Sequence, residues 1–130
     1  MTLLEIFTIL LIHWFADFVL QTDKQAKGKS KNWRDLLSHT LTYSLIWFVI
    51  GMYYTWYLVY NHNLSIDGIG FKLILFTLIT FIAHTITDYF TSKLNSKLWE
   101  KGDVHNFFVA VGFDQVLHYI QLFLTYKLLT

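Results

Sequence analysis

The chain has 130 residues with no Cys and no Pro; 55% are apolar, 19% aromatic and only 15% charged. Soluble globular domains carry about a quarter charged residues, so this composition fits a membrane protein or an unusually apolar helical domain. The length allows one domain, residues 1–130. The lack of Cys excludes a disulfide scaffold, a thiolate-held iron–sulfur cluster and a Cys-based zinc finger, and a formal net charge of +1 gives no field expected of a nucleic-acid binder.

In chain order, the first apolar stretch, Leu3 to Gln21, is interrupted by Glu5, His13 and Asp17. It has no basic start and no small-residue cleavage site, so it reads as a helix of the mature protein and not as a signal peptide. The second stretch is uninterrupted: from Thr40 to Asn61 there is no charged residue and no His, enough to span a bilayer core of about 20 residues. The third holds Lys72, His84 and Asp88, and the fourth Asp114, His118 and Lys127. The pattern predicts an all-α, four-helix, up-and-down transmembrane bundle, with helices at roughly 3–22, 36–60, 71–92 and 111–129.

The connections give an orientation. Lys24, Lys27, Lys29, Lys31 and Arg34 lie between helices one and two, and Lys93, Lys97 and Lys101 between three and four. The middle connection, 61–70, has no Lys or Arg. The positive-inside rule therefore puts 23–35 and 92–110 in the cytoplasm, with both termini outside. The basic segment 24–34, a short interfacial helix or a loop, reads first as a topology signal attracted to anionic lipid headgroups.

The informative residues are ionisable ones inside the helices. His13 with Asp17, Asp35 with His39, His84 with Asp88 and Asp114 with His118 are each spaced i, i+4, one turn apart on one face. A given His has roughly a one-in-nine chance of such an Asp on composition alone; here four of six have one, one per helix. The order alternates with helix direction, so an antiparallel bundle would put every Asp nearer the cytoplasm and every His one turn deeper. A buried charge costs about 2.5–3.5 kcal/mol in a membrane helix, so these groups need partners or a function. Four imidazoles over four carboxylates suit one or two divalent ions such as zinc, manganese or iron. The expected ligands are His13, Asp17, Asp35, His39, His84, Asp88, Asp114 and His118. Gln21, Gln115, Thr80, Thr125, Thr42 and Tyr43 are expected to support them by hydrogen bonds. Asp35 is also placed to cap helix two, and His62 and His105 read as loop residues.

The segments HWFADFVLQTD (13–23), SHTLTYS (38–44), AHTITD (83–88) and FDQVLHY (113–119) resemble a bacterial and phage family of small integral membrane proteins catalogued as a domain of unknown function. Its pattern is His-x-x-x-Asp-Phe-x-Leu-Gln, a His opening the second helix, His-x-x-x-Asp in the third and Asp-Gln-x-x-His in the fourth. The resemblance implies a bacterial inner-membrane protein and brings no activity with it. More loosely, the His/Asp-rich helices are similar to those of membrane-bound proteins described as metal-dependent hydrolases. The leading expectation is thus a metal-dependent hydrolase of a lipid or amphiphile, with Asp17 or Asp114 as general base. A metal or proton conductor, and a non-enzymatic module held rigid by the same network, remain as alternatives.

Overall fold

The computed structural model describes residues 1–62 and 65–129, and among these it is all-α, with no strand. Helix α1 (Leu3–Trp14) starts from a reciprocal cap. The Glu5 amide donates to Thr2 Oγ1 (3.2 Å) and the Thr2 amide donates to Glu5 Oε2 (2.6 Å), which satisfies two amides that have no partner in the helix. The chain then widens into one π-helical turn, Phe15–Val19, closed by the Leu20 amide on the Phe15 carbonyl (3.1 Å). The expected helix 3–22 therefore stops short: Thr22 is instead the cap of α2 (Asp23–Gly28), paired with Gln25. The basic segment left open between helix and loop begins with this short helix.

Helix α3 (Trp33–His62) follows closely the expected second helix. Helix α4 (Ile66–Glu100) and helix α5 (Val104–Leu129) both run well past the expected bounds. Residues 92–110 are not an extended connection but a helical hairpin with a three-residue turn. Gly102 takes φ 71° and ends α4, its amide donating to the Trp99 carbonyl and that of Asp103 to Leu98, both at 3.0 Å. This is the left-handed glycine stop; Asp103 then caps α5 through the Asn106 amide. Hydropathy falls where α4 leaves the apolar zone, but nothing breaks the helix until Gly102. Its 35 residues reach about 52 Å, against a hydrocarbon core of about 30 Å. Of the expected middle connection, 61–70, residues 63 and 64 lie outside the described residues; the remainder, apart from Ser65, is helical.

Helices α3, α4 and α5 are long and apolar enough to cross a membrane. Their burial is inverted relative to a soluble domain. Leu3, Phe71, Phe90, Phe108 and Leu128 are each at least 60% exposed, while the interior holds mostly Asp, His, Ser and Thr. An exterior of large apolar side chains around a polar interior is what lipid as solvent selects. Helix α3 packs on α4, α4 on α5, and α1 with its π turn on α5 and α3. The α2 segment and the α4–α5 hairpin meet at one end of the bundle, where Ser96 bonds Ser30 (2.8 Å) and Trp33 stacks on Tyr89. At the opposite end Tyr126 donates to Glu5 Oε1 (2.8 Å).

Candidate metal centre

The i, i+4 pairs turn inward. His13, His39, His84 and His118 form one layer, with ring centroids 5.5 Å apart for His13–His118, 5.3 Å for His39–His84 and 4.1 Å for His84–His118. Asp17, Asp88 and Asp114 lie against it, and all seven residues are buried. Asp17 sits inside the π turn, a feature frequent at functional sites, and it reaches across to α3. Its Oδ1 is 3.0 Å from His39 Nε2 and 3.5 Å from His84 Nε2, and its Oδ2 accepts from Gln115.

Four atoms converge most closely. Besides the Asp17 contacts, His39 Nε2 and His84 Nε2 are 3.3 Å apart, and Asp88 Oδ2 is 3.3 Å from the first and 3.7 Å from the second. A tetrahedral ion with ligand bonds of about 2.0–2.1 Å has ligand–ligand edges of about 3.3–3.4 Å. The observed edges scatter around that length, so Asp17, His39, His84 and Asp88 could hold a metal ion. A second group, Asp17, Asp114 and His118, is also spaced for one. Asp88 faces both sets, its Oδ1 lying 3.2 Å from His118 Nε2. Asp114 Oδ1 is buried 3.4 Å from His118 Nε2 and has no other polar partner. His84 Nδ1 is buried without a partner, so polar contacts hold that ring only through Nε2.

The other expected residues divide. Gln115 is a bridge: its amide nitrogen donates to Asp17 Oδ2 (3.2 Å) and Asp114 Oδ2 (3.1 Å), because carboxylates only accept. Its Oε1 therefore accepts from His13 Nε2 (2.8 Å), which leaves His13 Nδ1 to accept from the Tyr43 hydroxyl (2.7 Å). With both ring nitrogens engaged, His13 stands outside either ligand-spaced group and orients Gln115. Tyr43 also stacks on His84 at 3.9 Å. Asp35 is a clear departure. Helix α3 begins early enough to include it, but the side chain pairs with Asn32 at the helix start, its amide donating to Asn32 Oδ1 (2.9 Å) and its Oδ2 accepting from Asn32 Nδ2 (2.9 Å). Its carboxylate occupies the space beside Gly28 that any Cβ there would fill.

Thr80 and Thr125 bond to Gln121, not to the cluster. Thr42 bonds its own helix at the Ser38 carbonyl. Gln21 makes no hydrogen bond to the ligands; its Oε1 is buried and unpartnered. His62 and His105 are exposed.

Sequence reasoning missed Lys29. Its ammonium lies 2.8 Å from Asp88 Oδ2, with the side chain only 17% exposed. No spacing rule links residues 29 and 88; the fold alone joins them. Three carboxylates against one ammonium leave a negative excess, which a divalent cation or protonated imidazoles would offset.

The model of the family described as Protein of unknown function (DUF3307) matches residues 6–130. The chain belongs to this family. The DUF3307 match takes in every His and Asp of the cluster, in agreement with the resemblance read from their motifs. No curated protein and no solved structure matches the chain.

The DUF3307 cluster opens in one direction. Toward the α2 segment and the α4–α5 hairpin, a cleft of about 610 Å³ reaches Asp17, Asp114, Gln115 and Lys29. Toward the other end, one to two turns beyond the imidazoles, Ile9, Trp47 and Leu122 join Tyr43 in an apolar plug backed by Phe76 and Phe123, with Thr80 buried on α4 at the same level.

Proposed function

We propose that this DUF3307 protein is an integral membrane metalloprotein, a four-helix transmembrane bundle that acts as a metal-dependent hydrolase on a lipid or other amphiphile. The observation that carries the reading is the convergence of Asp17, His39, His84 and Asp88 at tetrahedral spacing inside an otherwise lipid-facing bundle. Imidazole and carboxylate together favour zinc, manganese or iron. The adjoining Asp17, Asp114 and His118 offer room for a second ion. A bound ion would supply Lewis acidity and a water of lowered pKa. In this reading the chain's own residues do the rest. Asp17 joins the two groups, His13 and Gln115 fix the carboxylates, and Asp114, which lines the cleft with its Oδ1 3.4 Å from His118 Nε2, is the general base where the second ion is absent.

The basic end, with α2 and the hairpin, faces the cytoplasm, which puts the cleft at the inner membrane interface. Beyond the imidazoles the interior offers an apolar cluster and only neutral hydroxyl and amide groups such as Ser44, Thr80 and Gln121, which favours the hydrolase over a conductor. Metal analysis of protein purified without chelator tests the proposal. We expect stoichiometric zinc, manganese or iron, lost in His84→Ala. Metal-free protein whose melting temperature does not rise on adding these ions would end the metalloenzyme reading and leave a structural polar network.

A further inference from the structure

Buried polar groups are almost always paired, and each exception calls for an explanation. Apart from the carboxylates, three residues of the cleft lining keep a buried atom without a partner: Gln21 Oε1, Ser92 Oγ and Asn95 Oδ1. Ser92 is only 7% exposed. The two amide oxygens accept, an amide turned about its last bond would offer a donor at the same point, and a hydroxyl does both. Spare donors stand on the same walls. Ser96 donates to Ser30 (2.8 Å), and that bond uses one of the pair's two hydroxyl hydrogens. Lys29 gives one hydrogen to Asp88, and an ammonium has three. A ligand that completes this cleft must therefore donate and accept.

Charge narrows the class further. Lys27, Lys29 and Lys31 line the cleft, and so do Asp17, Glu100 and Asp114. Three of each sign select neither an anion nor a cation. An oxyanion only accepts and would leave the Gln21 and Asn95 oxygens unserved; an ammonium only donates and would meet the lysines. Hydroxyl groups carry no charge and do both. The remaining wall is apolar and aromatic, with Phe18, Trp99, Phe107 and Phe108. Trp99 is 60% exposed, its ring 5.1 Å from that of Phe107, and a Trp so placed marks the headgroup level of a membrane. A sugar ring has a C–H face that lies flat on such a surface and a rim of hydroxyls for the polar walls. Phe18 and Phe108 also belong to the exposed apolar exterior, so a chain lying along them would pass from the cleft into the surrounding lipid. The volume, about 610 Å³, is within the range of small-ligand sites.

We infer that this cleft binds the uncharged, hydroxyl-rich headgroup of a membrane lipid, such as a glycosyl group, with its hydroxyls toward Gln21, Ser92 and Asn95 and its chain along Phe18 and Phe108. The inference deepens the reading above by naming the headgroup class. It rests on the membrane part of that reading and takes nothing from the metal centre.

The test is titration of hexyl glucoside into the full chain in an amine-oxide detergent, read by calorimetry against a protein-free blank, with metal assayed on the same sample. Glucose supplies the hydroxyls without a chain, hexyl phosphate the chain with an oxyanion, and hexylamine the chain with a cation. We expect saturable binding of hexyl glucoside, and of the other three at least about tenfold weaker. Ser92→Ala with Asn95→Ala should weaken hexyl glucoside binding by a similar factor. Neither Ser92 Oγ nor Asn95 Oδ1 bonds another group of the protein, so the double variant should keep its melting temperature and metal content. Equal binding of glucose would make this a free-sugar site and overturn the lipid assignment. Equal binding of hexyl phosphate or hexylamine would overturn the uncharged class, and binding unchanged in the double variant would overturn the location. No saturable binding by metal-loaded protein would mean that water alone completes these atoms, and the inference would fall while the metal centre stands. Saturable binding in a sample free of metal would support the inference while the metal centre falls.

Discussion

On either side of the imidazole layer the bundle treats its polar groups in opposite ways. At the α2 end the interior is wet in character and unfinished: Gln21, Ser92, Asn95 and Asp114 each keep a buried atom without a partner, around an open cleft. At the other end the polar side chains mostly bond one another. Gln121 donates to Thr80 and Thr125, Thr125 donates back to the Gln121 carbonyl, and Tyr126 donates to Glu5. Ile9, Tyr43, Trp47 and Leu122 form the apolar cluster on this side of the imidazoles. In a bilayer no hydrophobic force draws helices together, so polar pairs and close packing hold them. The bonded pairs at the far end serve that purpose, although Gln121 Oε1 and Trp47 Nε1 there are also buried without a partner. The larger share of the unpartnered atoms, four against two, lies around the open cleft.

The comparison breaks most completely if the two ends do not face different compartments. The chain has no Cys, so single cysteines report cleanly. Ser65→Cys, at the start of α4, should be labelled only from outside the cell by a membrane-impermeant maleimide, and Lys31→Cys, after α2, only from the cytoplasm. The expected outcome is all or none at each position. The reverse pattern would turn the open cleft outward and remove the cytoplasmic leaflet as its source of lipid.

A graded effect comes from matching one glutamine against another. Gln115 holds Asp17 and Asp114 in place and is held by His13. Residues that orient metal ligands typically contribute about 10–100-fold in affinity, so Gln115→Ala should weaken metal binding by that much in a folded bundle. Gln121 adjoins Leu122 of the plug and bonds Thr80 and Thr125, not the cluster. Gln121→Ala should leave metal affinity unchanged and lower the melting temperature modestly, as loss of an interhelical bond worth about 0.6 kcal/mol would. Titration with zinc and thermal unfolding of both variants check the pair. Equal loss of affinity would mean the plug does not insulate the two ends.

What could be read in advance followed from periodicity. Four His/Asp pairs at i, i+4, in alternating order, were enough to bring four imidazoles and three carboxylates together, since a helix fixes the face of each residue. Periodicity fails where the backbone changes rule. The π turn at Phe15–Val19 swings Asp17 toward His39 and His84, and Asp35 falls at a helix start where Asn32 claims it. The ends of α4 and α5 escaped notice because hydropathy reports the solvent around a helix, while Gly102 alone reports its stop. Lys29, Ser92 and Asn95 carry no local signal. They matter only because the fold brings the α2 segment onto α4.

Lys29 gives the smallest expected effect and the most diagnostic sign. Burial disfavours its ammonium, but the Asp88, Asp17 and Asp114 carboxylates outweigh that and hold its pKa above the ordinary lysine value. A raised pKa means the pair's contribution is fully present below the ordinary value near 10.5 and is lost only as pH climbs through the higher folded value. Lys29→Met should therefore lower the stability of chelator-treated protein by about 1–2 kcal/mol, an estimate between exposed and buried pairs, and by the same amount from pH 6 to 9. Metal affinity should move the other way, rising roughly threefold to tenfold, because the ammonium and the ion share Asp88 Oδ2. Opposite signs in the two measurements identify Lys29 as a resident counter-cation at the mouth of the centre. A variant less stable and also weaker in metal binding would show instead that Lys29 merely supports the fold, and the open end would then owe its shape to packing.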